Sequence, residues 1–413
     1  MTAGGYLDHL QKFGVHLGLE RIRALLKRLG EPQVTFQAVH VAGTNGKGSV
    51  CAYLSHILQA AGYRTGRYTS PHLLDWNERI WIGGAFISDG ALQACLATVK
   101  TAAEHLPKSL GEPTQFEIVT AAAFLYFAQS AVEVAVVEVG LGGRLDATNV
   151  FEPPLASVIT SVGLDHCEQL GSTLAAIAAE KAGILRSGCP LVCAPLSPEA
   201  MQVVTKKALA LDVGITLAEP ARAVAPGEAQ WQGIRYRLPL AGGVQLQNSA
   251  TALATCQVLR GRGLPIDETS IRAGFENTVW PGRYQRLGER LLLDGAHNED
   301  GAVALRAYLD CLHPKASIRW IVGILESKDA QAVLRALLRP GDTFVAVPIP
   351  DARSHPPETL AFMAQTMGLS SIASASGFSE ALRLGDTERL TVIAGSLYLA
   401  GAVLREWPRL QKR

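Results

Sequence analysis

A glycine-rich segment between a strand-like and a helical stretch could bind the phosphates of a nucleotide. Residues 36–42 are strand-like, and residues 49–61 show helical spacing of apolar side chains. Glycines let backbone N–H groups turn toward phosphate oxygens, Lys47 adds positive charge, and the final serine hydroxyl can bind Mg²⁺. The order departs from the usual phosphate loop, since Val41 replaces the first glycine and Gly48 separates the lysine from the hydroxyl. A ligand-free turn is the alternative, but the strand–loop–helix setting favours a phosphate site formed by Gly43, Thr44, Asn45, Gly46, Lys47, Gly48 and Ser49.

An acidic residue near the end of an apolar run is a candidate metal ligand. Glu138 lies in residues 132–139, a run typical of a strand buried in a parallel sheet. A buried carboxylate needs a cation or a donor, and ligands gather at the carboxyl ends of such strands. Alone, Glu138 fits a structural salt bridge equally well, and the phosphate loop upstream favours Mg²⁺. The glycine-rich residues 140–149 follow directly and could approach a ligand closely.

Two further residues could contribute charge or metal ligation. His166 follows the apolar run 155–162, so we predict it at the same sheet edge as Glu138, where a second metal position is plausible. A lone histidine is more often structural. Lys181 lies in an alanine-rich helical stretch, 173–185, and its position alone predicts a surface lysine.

Polar residues with possible ligand roles reappear after a turn at residues 280–284. Asp294 and His297 lie at the end of the strand-like residues 291–294. The carboxylate there could accept hydrogen bonds from a ribose, and the imidazole could contact a phosphate or acyl group. Arg283 could swing onto ATP phosphates when domains close. Spacing alone does not assign these roles.

The repeated strand–helix pattern predicts an α/β protein of two domains. We expect a P-loop-type, mostly parallel sheet in residues 1–282, a linker at about 283–287, and a smaller Rossmann-like α/β domain in residues 288–413. A ligand site between two such domains is the natural expectation.

Composition excludes several classes of protein. The 38 basic and 37 acidic residues give a net charge of +1, which gives no support for nucleic acid or an acidic membrane as the partner. The first ten residues lack the apolar core of a secretory signal, and no apolar run is long enough to span a membrane. The 7 cysteines are scattered without C-x-x-C pairs, which indicates reduced thiols in the cytoplasm rather than a zinc site or disulfides.

Taken in order, these motifs resemble those of the folylpolyglutamate synthase family, including the bifunctional dihydrofolate synthases, within the Mur ligase superfamily. The resemblance runs from near the N-terminus to about Tyr398. It is carried by Gly43–Ser49, Thr69–Leu73, Phe116–Glu117, Glu138–Asn149, Gly163–His166, Glu180–Gly183, Trp280–Arg283 and Asp294–Asn298.

The resemblance implies a role for each matched residue. Ser49 and Glu138 would bind the Mg²⁺ of MgATP, and Ser70, Glu138 and His166 would surround a second Mg²⁺. Lys181 matches a lysine that is carbamylated in the family. Asn248, Arg283, Asp294 and His297 match nucleotide-contacting or glutamate-side positions, with Lys47, Lys181, His166, Arg283 and His297 as the catalytic set. The pterin or folate site would comprise Arg79, Thr114, Phe116, Asp146 and Ala147.

The resemblance also implies the reaction: ATP-dependent ligation of L-glutamate to dihydropteroate or folates through an acyl phosphate, by a cytoplasmic monomer of one-carbon metabolism. A Mur-type ligase acting on UDP-muramyl peptides is the enzyme alternative, although Gly48 and Thr69–Leu73 resemble the folate branch. A non-enzymatic ATP-binding switch would need the phosphate loop but not Lys181, Arg283 or Asp294–Asn298.

Overall fold

The computed structural model describes Gly5, Leu7 and residues 18–314, 316–351, 353–384 and 388–411 of the 413-residue chain. The chain divides into two compact units. The first comprises residues 1–163, 170–239 and 245–279, and the second comprises residues 164–169, 240–244 and 280–413. Two short segments of the predicted first domain, residues 164–169 and 240–244, therefore pack with the second unit.

The first unit is built around a mostly parallel sheet, as the apolar runs predict. In chain order its strands are β1 (Gln37–Ala42), β2 (Thr65–Tyr68), β3 (Ile80–Ile82), β4 (Ala85–Phe86), β5 (Val134–Glu138), β6 (Ala156–Ile159), β7 (Leu191–Cys193) and β8 (Ile215–Leu217). Their order across the sheet is β4-β3-β2-β5-β1-β6-β7-β8, and among these described strands the antiparallel pairs are β3 with β2 and β3 with β4. The carboxyl ends of β5, β1 and β6 are adjacent, because Val41 pairs with Glu138 and Ala42 pairs with Ile159.

Helices cover this sheet and supply its core contacts. A large apolar cluster includes Phe36, Tyr68, Phe124 and Phe127, and a second cluster includes Ile159, Ile184 and Val204. The helices of this unit are α1 (Glu20–Arg28), α2 (Lys47–Ala60), α3 (Asp89–Glu104), α4 (Gln115–Gln129), α6 (Leu174–Ala182), α7 (Pro198–Ala210), α8 (Val244–Gly261) and α9 (Glu268–Glu276). Most of the short helix α5 (Cys167–Leu170) and the first residue of α8 lie in the two segments that are grouped with the second unit. Short 3₁₀ turns lie at Pro32–Val34, Trp76–Arg79 and Lys108–Leu110.

A small antiparallel sheet in the first unit was not predicted. It orders as β11-β10-β9, with β9 (Arg222–Ala225), β10 (Glu228–Trp231) and β11 (Ile234–Arg237). Ala229 and Trp231 are buried in β10, and Ile234 and Tyr236 are buried in β11. This alternation with polar residues is the sequence signal that could have found the sheet.

The second unit repeats the strand–helix pattern around its own sheet. Its strands are β12 (Gln285–Gly288), β13 (Leu291–Leu293), β14 (Arg319–Val322), β15 (Thr343–Ala346), β16 (Ser371–Ser374) and β17 (Thr391–Ala394), in the order β12-β13-β17-β14-β15-β16. Among these described strands only β12 pairs antiparallel, and this strand, which overlaps part of the predicted linker, forms one edge of the sheet. The helices are α10 (Glu299–Leu312), α11 (Ala330–Leu337), α12 (Pro357–Thr366), α13 (Phe378–Ala381) and α14 (Leu397–Leu410).

The predicted fold class, two α/β domains with mostly parallel sheets, is confirmed. The apolar runs ending in Glu138 and Ile159 are buried strands, because helices cover the sheet on which they lie. None of the helices among the described residues combines the length and the apolar character that crossing a membrane requires.

Candidate functional site

The glycine-rich segment forms a tight loop between β1 and α2. Thr44 N–H donates to the Ser161 carbonyl (3.0 Å), and Asn45 N–H donates to Ser161 Oγ (2.8 Å). Thr160 Oγ1 donates to the Asn45 carbonyl (2.7 Å). The segment after β6 thus braces the loop, and the first-turn N–H groups of α2 lie beyond it, as at an anion-binding helix terminus.

Gly46 is a position that only glycine suits. Its φ of +86° lies in the left-handed region, and it precedes the first residue of α2. A Cβ at this position would overlap Asn248 Oδ1 from α8. The predicted nucleotide-contacting residue Asn248 therefore packs directly on the loop.

Lys47 and Glu138 meet at the base of the loop. Lys47 Nζ donates to the carbonyls of Gly43 (3.0 Å) and Thr44 (3.2 Å) and lies 4.0 Å from Glu138 Oε1. Glu138, at the end of β5, is 5% exposed and accepts a hydrogen bond from Ser70 N–H (3.2 Å). The sheet therefore brings together three of the predicted residues, from three separate parts of the chain.

The donor set at this point suits Mg²⁺. Glu138 offers a carboxylate at the end of β5, and Ser49, which is 3% exposed, offers a hydroxyl in the first turn of α2. Among the described residues, no three His, Cys, Asp or Glu side chains group together as a metal cage. Magnesium commonly binds through one or two carboxylates and completes its shell with waters and substrate phosphates, so one carboxylate beside a phosphate loop fits this ion.

The second glycine-rich loop is ordered by Asp146. Its buried carboxylate accepts hydrogen bonds from Leu141 N–H (2.8 Å), Thr148 N–H (2.9 Å) and the Thr148 hydroxyl. Burial raises the pKa of Asp146, because desolvation outweighs these hydrogen bonds. Asp146, a predicted pterin-site residue, thus shapes residues 141–148.

His40 extends this network beneath the loop. Its Nε2 lies 2.8 Å from Thr148 Oγ1, whose proton goes to Asp146, so His40 Nε2 carries the hydrogen and donates. Burial, with a smaller effect from the charge of Arg186, lowers the pKa of His40 to about 3. The imidazole is therefore neutral near pH 7.

His40 should make the first unit sensitive to acid. Below its ordinary pKa of 6.5 the unfolded chain binds a proton at His40, while the folded chain does so only near pH 3. The unfolding free energy therefore falls as the pH decreases from 6.5 toward 3, by up to about 1.4 kcal/mol per pH unit. In urea unfolding at pH 7.5, 6.5 and 5.5, His40→Gln should lose this part of the decline, and exposed His105→Gln should retain it. Parallel curves for wild type and His40→Gln would refute the assignment.

Of the other predicted pterin-site residues, Phe116 and Ala147 lie at the second glycine-rich loop. Thr114 and Arg79 form hydrogen bonds with residues outside that loop. Phe116 packs on Gly140, where a Cβ would overlap its ring. Thr114 caps α4 in a reciprocal arrangement with Glu117, which also pairs with Arg21 (3.1 Å). Arg79 donates from Nε to His72 Nδ1 (2.9 Å) and lies over the Trp76 ring (4.1 Å), and Ala147 is buried.

Lys181 is buried, contrary to the surface position expected from its sequence context. It lies in the last turn of α6 and is 3% exposed. The loop of residues 140–149 covers it: a Cβ at Gly143 would lie 3.2 Å from the Lys181 Cα and 2.8 Å from the Glu180 carbonyl oxygen. Burying a lysine is costly unless its charge is compensated, and no pattern in the sequence indicated this burial.

The predicted residues of the second unit group around the end of β13. Asp294 accepts hydrogen bonds from Tyr284 N–H (2.9 Å) and Ala296 N–H (2.8 Å). Burial raises the pKa of Asp294, and the nearby charge of Arg283 opposes that rise. A Cβ at Gly295 would lie 2.6 Å from Arg283 Nη1, so this glycine makes room for the guanidinium.

Asp165 organises a second charged group in this unit, and sequence reasoning had given it no role. Its carboxylate accepts a hydrogen bond from Asn298 Nδ2 (3.0 Å), pairs with Lys328 Nζ, and lies 3.6 Å from His297 Nε2. His166 Nε2 is 3.3 Å from Lys328 Nζ. Burial alone would raise the pKa of Asp165, but its interactions with His297, Lys328 and His166 hold that pKa well below its usual range.

The structure thus assembles the predicted site residues in two groups. In the first unit the loop, Ser70, Glu138 and Asn248 lie together, while His166, Arg283, Asp294 and His297 belong to the second unit. Sequence reasoning missed Gln245, Asp165 and Lys328. Gln245 could have been found, because it lies one helical turn before Asn248. Lys328 had no comparable signal.

Two family models and a relative match this chain over the segments that carry the motifs. The family described as "Mur ligase middle domain" matches residues 41–256, and "Dihydrofolate synthetase, C-terminal domain" matches residues 283–406. The chain is 38% identical to a probable dihydrofolate synthetase of Schizosaccharomyces pombe, over 95% of this chain and 98% of that protein.

Solved structures agree over nearly the whole chain. Mycobacterium tuberculosis folylpolyglutamate synthase, complexed with ADP and AMPPCP, has a TM-score of 0.90 at 32% identity and 98% coverage of both chains. A bifunctional folylpolyglutamate synthase/dihydrofolate synthase from Yersinia pestis, complexed with AMPPNP and Mn ion, has a TM-score of 0.85 at 32% identity, again with 98% coverage of both chains. The chain belongs to the dihydrofolate synthase and folylpolyglutamate synthase family of Mur ligases.

Proposed function

We propose that this protein is an ATP-dependent ligase that joins L-glutamate to dihydropteroate, to folates, or to both. The observation that carries the proposal is the loop beneath α2, where Lys47 Nζ lies 4.0 Å from Glu138 Oε1 and Ser70 N–H donates to the same carboxylate. Family membership supports the substrate class, because the relatives are named for these two ligations.

A carboxylate resists attack by an amine at neutral pH, so the reaction needs activation. The γ-phosphoryl group of ATP passes to the acid, giving an acyl phosphate and ADP. The glutamate amine then attacks the acyl carbon, and phosphate leaves. Such transfer depends on positioning and charge neutralisation more than on proton transfer.

The residues of the first unit have distinct parts in this proposal. The loop from Gly43 to Gly48 and Asn248 hold the nucleotide, and Lys47 supplies fixed positive charge. Ser49, Ser70 and Glu138 would hold Mg²⁺, with His166 as a further proposed ligand. When bound, Mg²⁺ neutralises phosphate charge and orients the oxygens.

The remaining predicted residues are proposed to contact the other substrates. Arg283, Asp294 and His297 of the second unit would contact the nucleotide or glutamate. The pterin or folate would be bound by Arg79, Thr114, Phe116, Asp146 and Ala147.

The test is ADP release by the purified protein with ATP, Mg²⁺ and glutamate. Dihydropteroate, a folate or a UDP-muramyl peptide is added in turn, and the product is identified by mass spectrometry. Stimulation by either pterin substrate, with one glutamate added, supports the proposal. Stimulation by the muramyl peptide alone would indicate a cell-wall ligase, and nucleotide binding without any stimulation would indicate a non-enzymatic switch.

Lys181 is proposed to be carbamylated, giving a buried carboxylate that supports the metal site. Lys181→Ala should reduce ligation by about a hundredfold or more, as loss of a group that orients metal ligands does. Added bicarbonate should not restore activity, since alanine has no amine to carbamylate. Exposed Lys206→Ala is the matched control. Full activity of Lys181→Ala would rule out this role.

We further propose a monomer that works in the cytoplasm with small-molecule substrates. All 7 cysteines are free, and Cys51, Cys95, Cys189, Cys193 and Cys256 are buried, as expected for a protein kept reduced. Light scattering on the purified protein tests the oligomeric state.

A further inference from the structure

We infer that Gln245 is a positioning residue for the metal–nucleotide site. Its side-chain amide fixes the orientation of the Ser49 hydroxyl, and thereby sets how strongly Mg²⁺ promotes nucleotide binding. The inference rests on the proposed function, because it takes Ser49 as a ligand of the Mg²⁺ that accompanies ATP.

Gln245 is the centre of a buried polar network between α2 and α8. The residue is 1% exposed, and its Nε2 donates to Ser49 Oγ (3.3 Å). Its Oε1 accepts from Tyr53 O–H (3.2 Å) and from Asn248 Nδ2 (3.1 Å). If the Gln245 amide were reversed, its NH₂ group would face the NH₂ group of Asn248. The hydrogen bond from Asn248 therefore fixes the Gln245 side chain with its Nε2 facing Ser49.

This donor determines what the Ser49 hydroxyl can offer. A hydroxyl has one proton and two lone pairs. The Gln245 N–H occupies one lone pair, which leaves the other for a cation and the proton for an acceptor. Ser49 is held in the first turn of α2 and is almost fully buried, so its remaining freedom is rotation about the Cβ–Oγ bond. Gln245 removes that freedom before the metal arrives.

The same network reaches the loop between β1 and α2. Asn248, which orients Gln245, also packs against Gly46. Gln245 therefore ties the hydroxyl of the helix to the loop that is proposed to hold phosphate. Groups that orient metal ligands are typically worth about 10–100-fold in metal affinity.

The experiment measures nucleotide affinity rather than turnover. A non-hydrolysable ATP analogue is titrated calorimetrically into the full-length protein with Mg²⁺ and with EDTA, and the ratio of the two affinities is compared among variants. Gln245→Met, which keeps the length of the side chain but removes the donor to Ser49, should lower this ratio by about tenfold or more. Gln245→Asn keeps a buried amide but retracts it from Ser49, so it should act in the same direction and serves if methionine is not tolerated.

A double-mutant cycle separates positioning from a structural role. If Gln245 acts through Ser49, Gln245→Met should have no further effect on the ratio in a Ser49→Ala background. Tyr53→Phe, which removes another partner of the same amide, should leave the ratio unchanged. Equal loss of affinity with and without Mg²⁺, or additive effects of the two substitutions, would overturn the inference alone. A wild-type protein without Mg²⁺-dependent nucleotide binding would overturn the proposed function and this inference together.

Discussion

Replacing Lys47 with methionine is expected to lower kcat for ligation about a thousandfold while the protein still folds. Lys47 Nζ supplies positive charge beside the carbonyls of Gly43 and Thr44 and 4.0 Å from Glu138. Cationic groups that stabilise charge during phosphoryl transfer are worth about 10³-fold or more in kcat. Methionine keeps the aliphatic part of the side chain, so the loss is of charge rather than packing.

Two companion variants make the Lys47 result interpretable. Lys47→Arg retains the charge, but a planar guanidinium does not reproduce the compact ammonium between two carbonyls, so partial activity is expected. Lys206→Met changes an exposed lysine of α7 and should leave kcat unchanged. Steady-state ADP release measures kcat, and circular dichroism checks the fold. A folded Lys47→Met with kcat within tenfold of wild type would remove the proposed role.

The loop was predictable because its signals are local. The apolar run of β1, the glycines and the helix start are contiguous, and sequence alone places Gly43 to Ser49 between strand and helix. The adjacency of Glu138 follows from a further rule, that buried parallel strands end at one edge of the sheet. The observed pairing of Val41 with Glu138 agrees with that expectation.

What sequence reasoning missed depends on long-range packing. The sequence around Lys181 predicts a surface residue, but its side chain is buried in the folded protein, where the loop of residues 140–149 packs on α6. Gln245 contacts a residue 196 positions earlier, so no local pattern could assign its partner. The Asp165 group likewise joins residues from three distant segments.

Structure alone also reveals a residue on which the second unit's stability should depend. Asp342 immediately precedes β15, and its side chain is 1% exposed. It accepts hydrogen bonds from Arg306 Nη1 (2.7 Å), Trp320 Nε1 (3.0 Å) and the N–H groups of Ile318 (2.8 Å) and Arg339 (3.0 Å). One carboxylate therefore ties α10, β14 and the end of α11 to β15.

Asp342→Ala is expected to destabilise the second unit by about 3–5 kcal/mol. Removing one partner of a buried ion pair leaves the other charge in an apolar setting, and here it also leaves the Trp320 indole N–H without its acceptor. Arg306 has a second partner, Asp310 (2.8 Å), whose side chain is 49% exposed. Asp310→Ala is the matched control, because it removes a carboxylate that pairs with the same arginine at a place where water can replace it. This variant should lower the unfolding free energy by less than about 1 kcal/mol.

Urea unfolding followed by tryptophan fluorescence measures both variants, because Trp320 is fully buried and bonded to Asp342. Asp342→Asn keeps an acceptor of nearly the same shape but no charge, so its loss of stability should fall between the two alanine variants. That order would show that the buried charge pair, and not the shape of the side chain alone, holds the four segments together. Equal destabilisation by Asp342→Ala and Asp310→Ala would instead mean that Arg306 is adequately solvated from its exposed side.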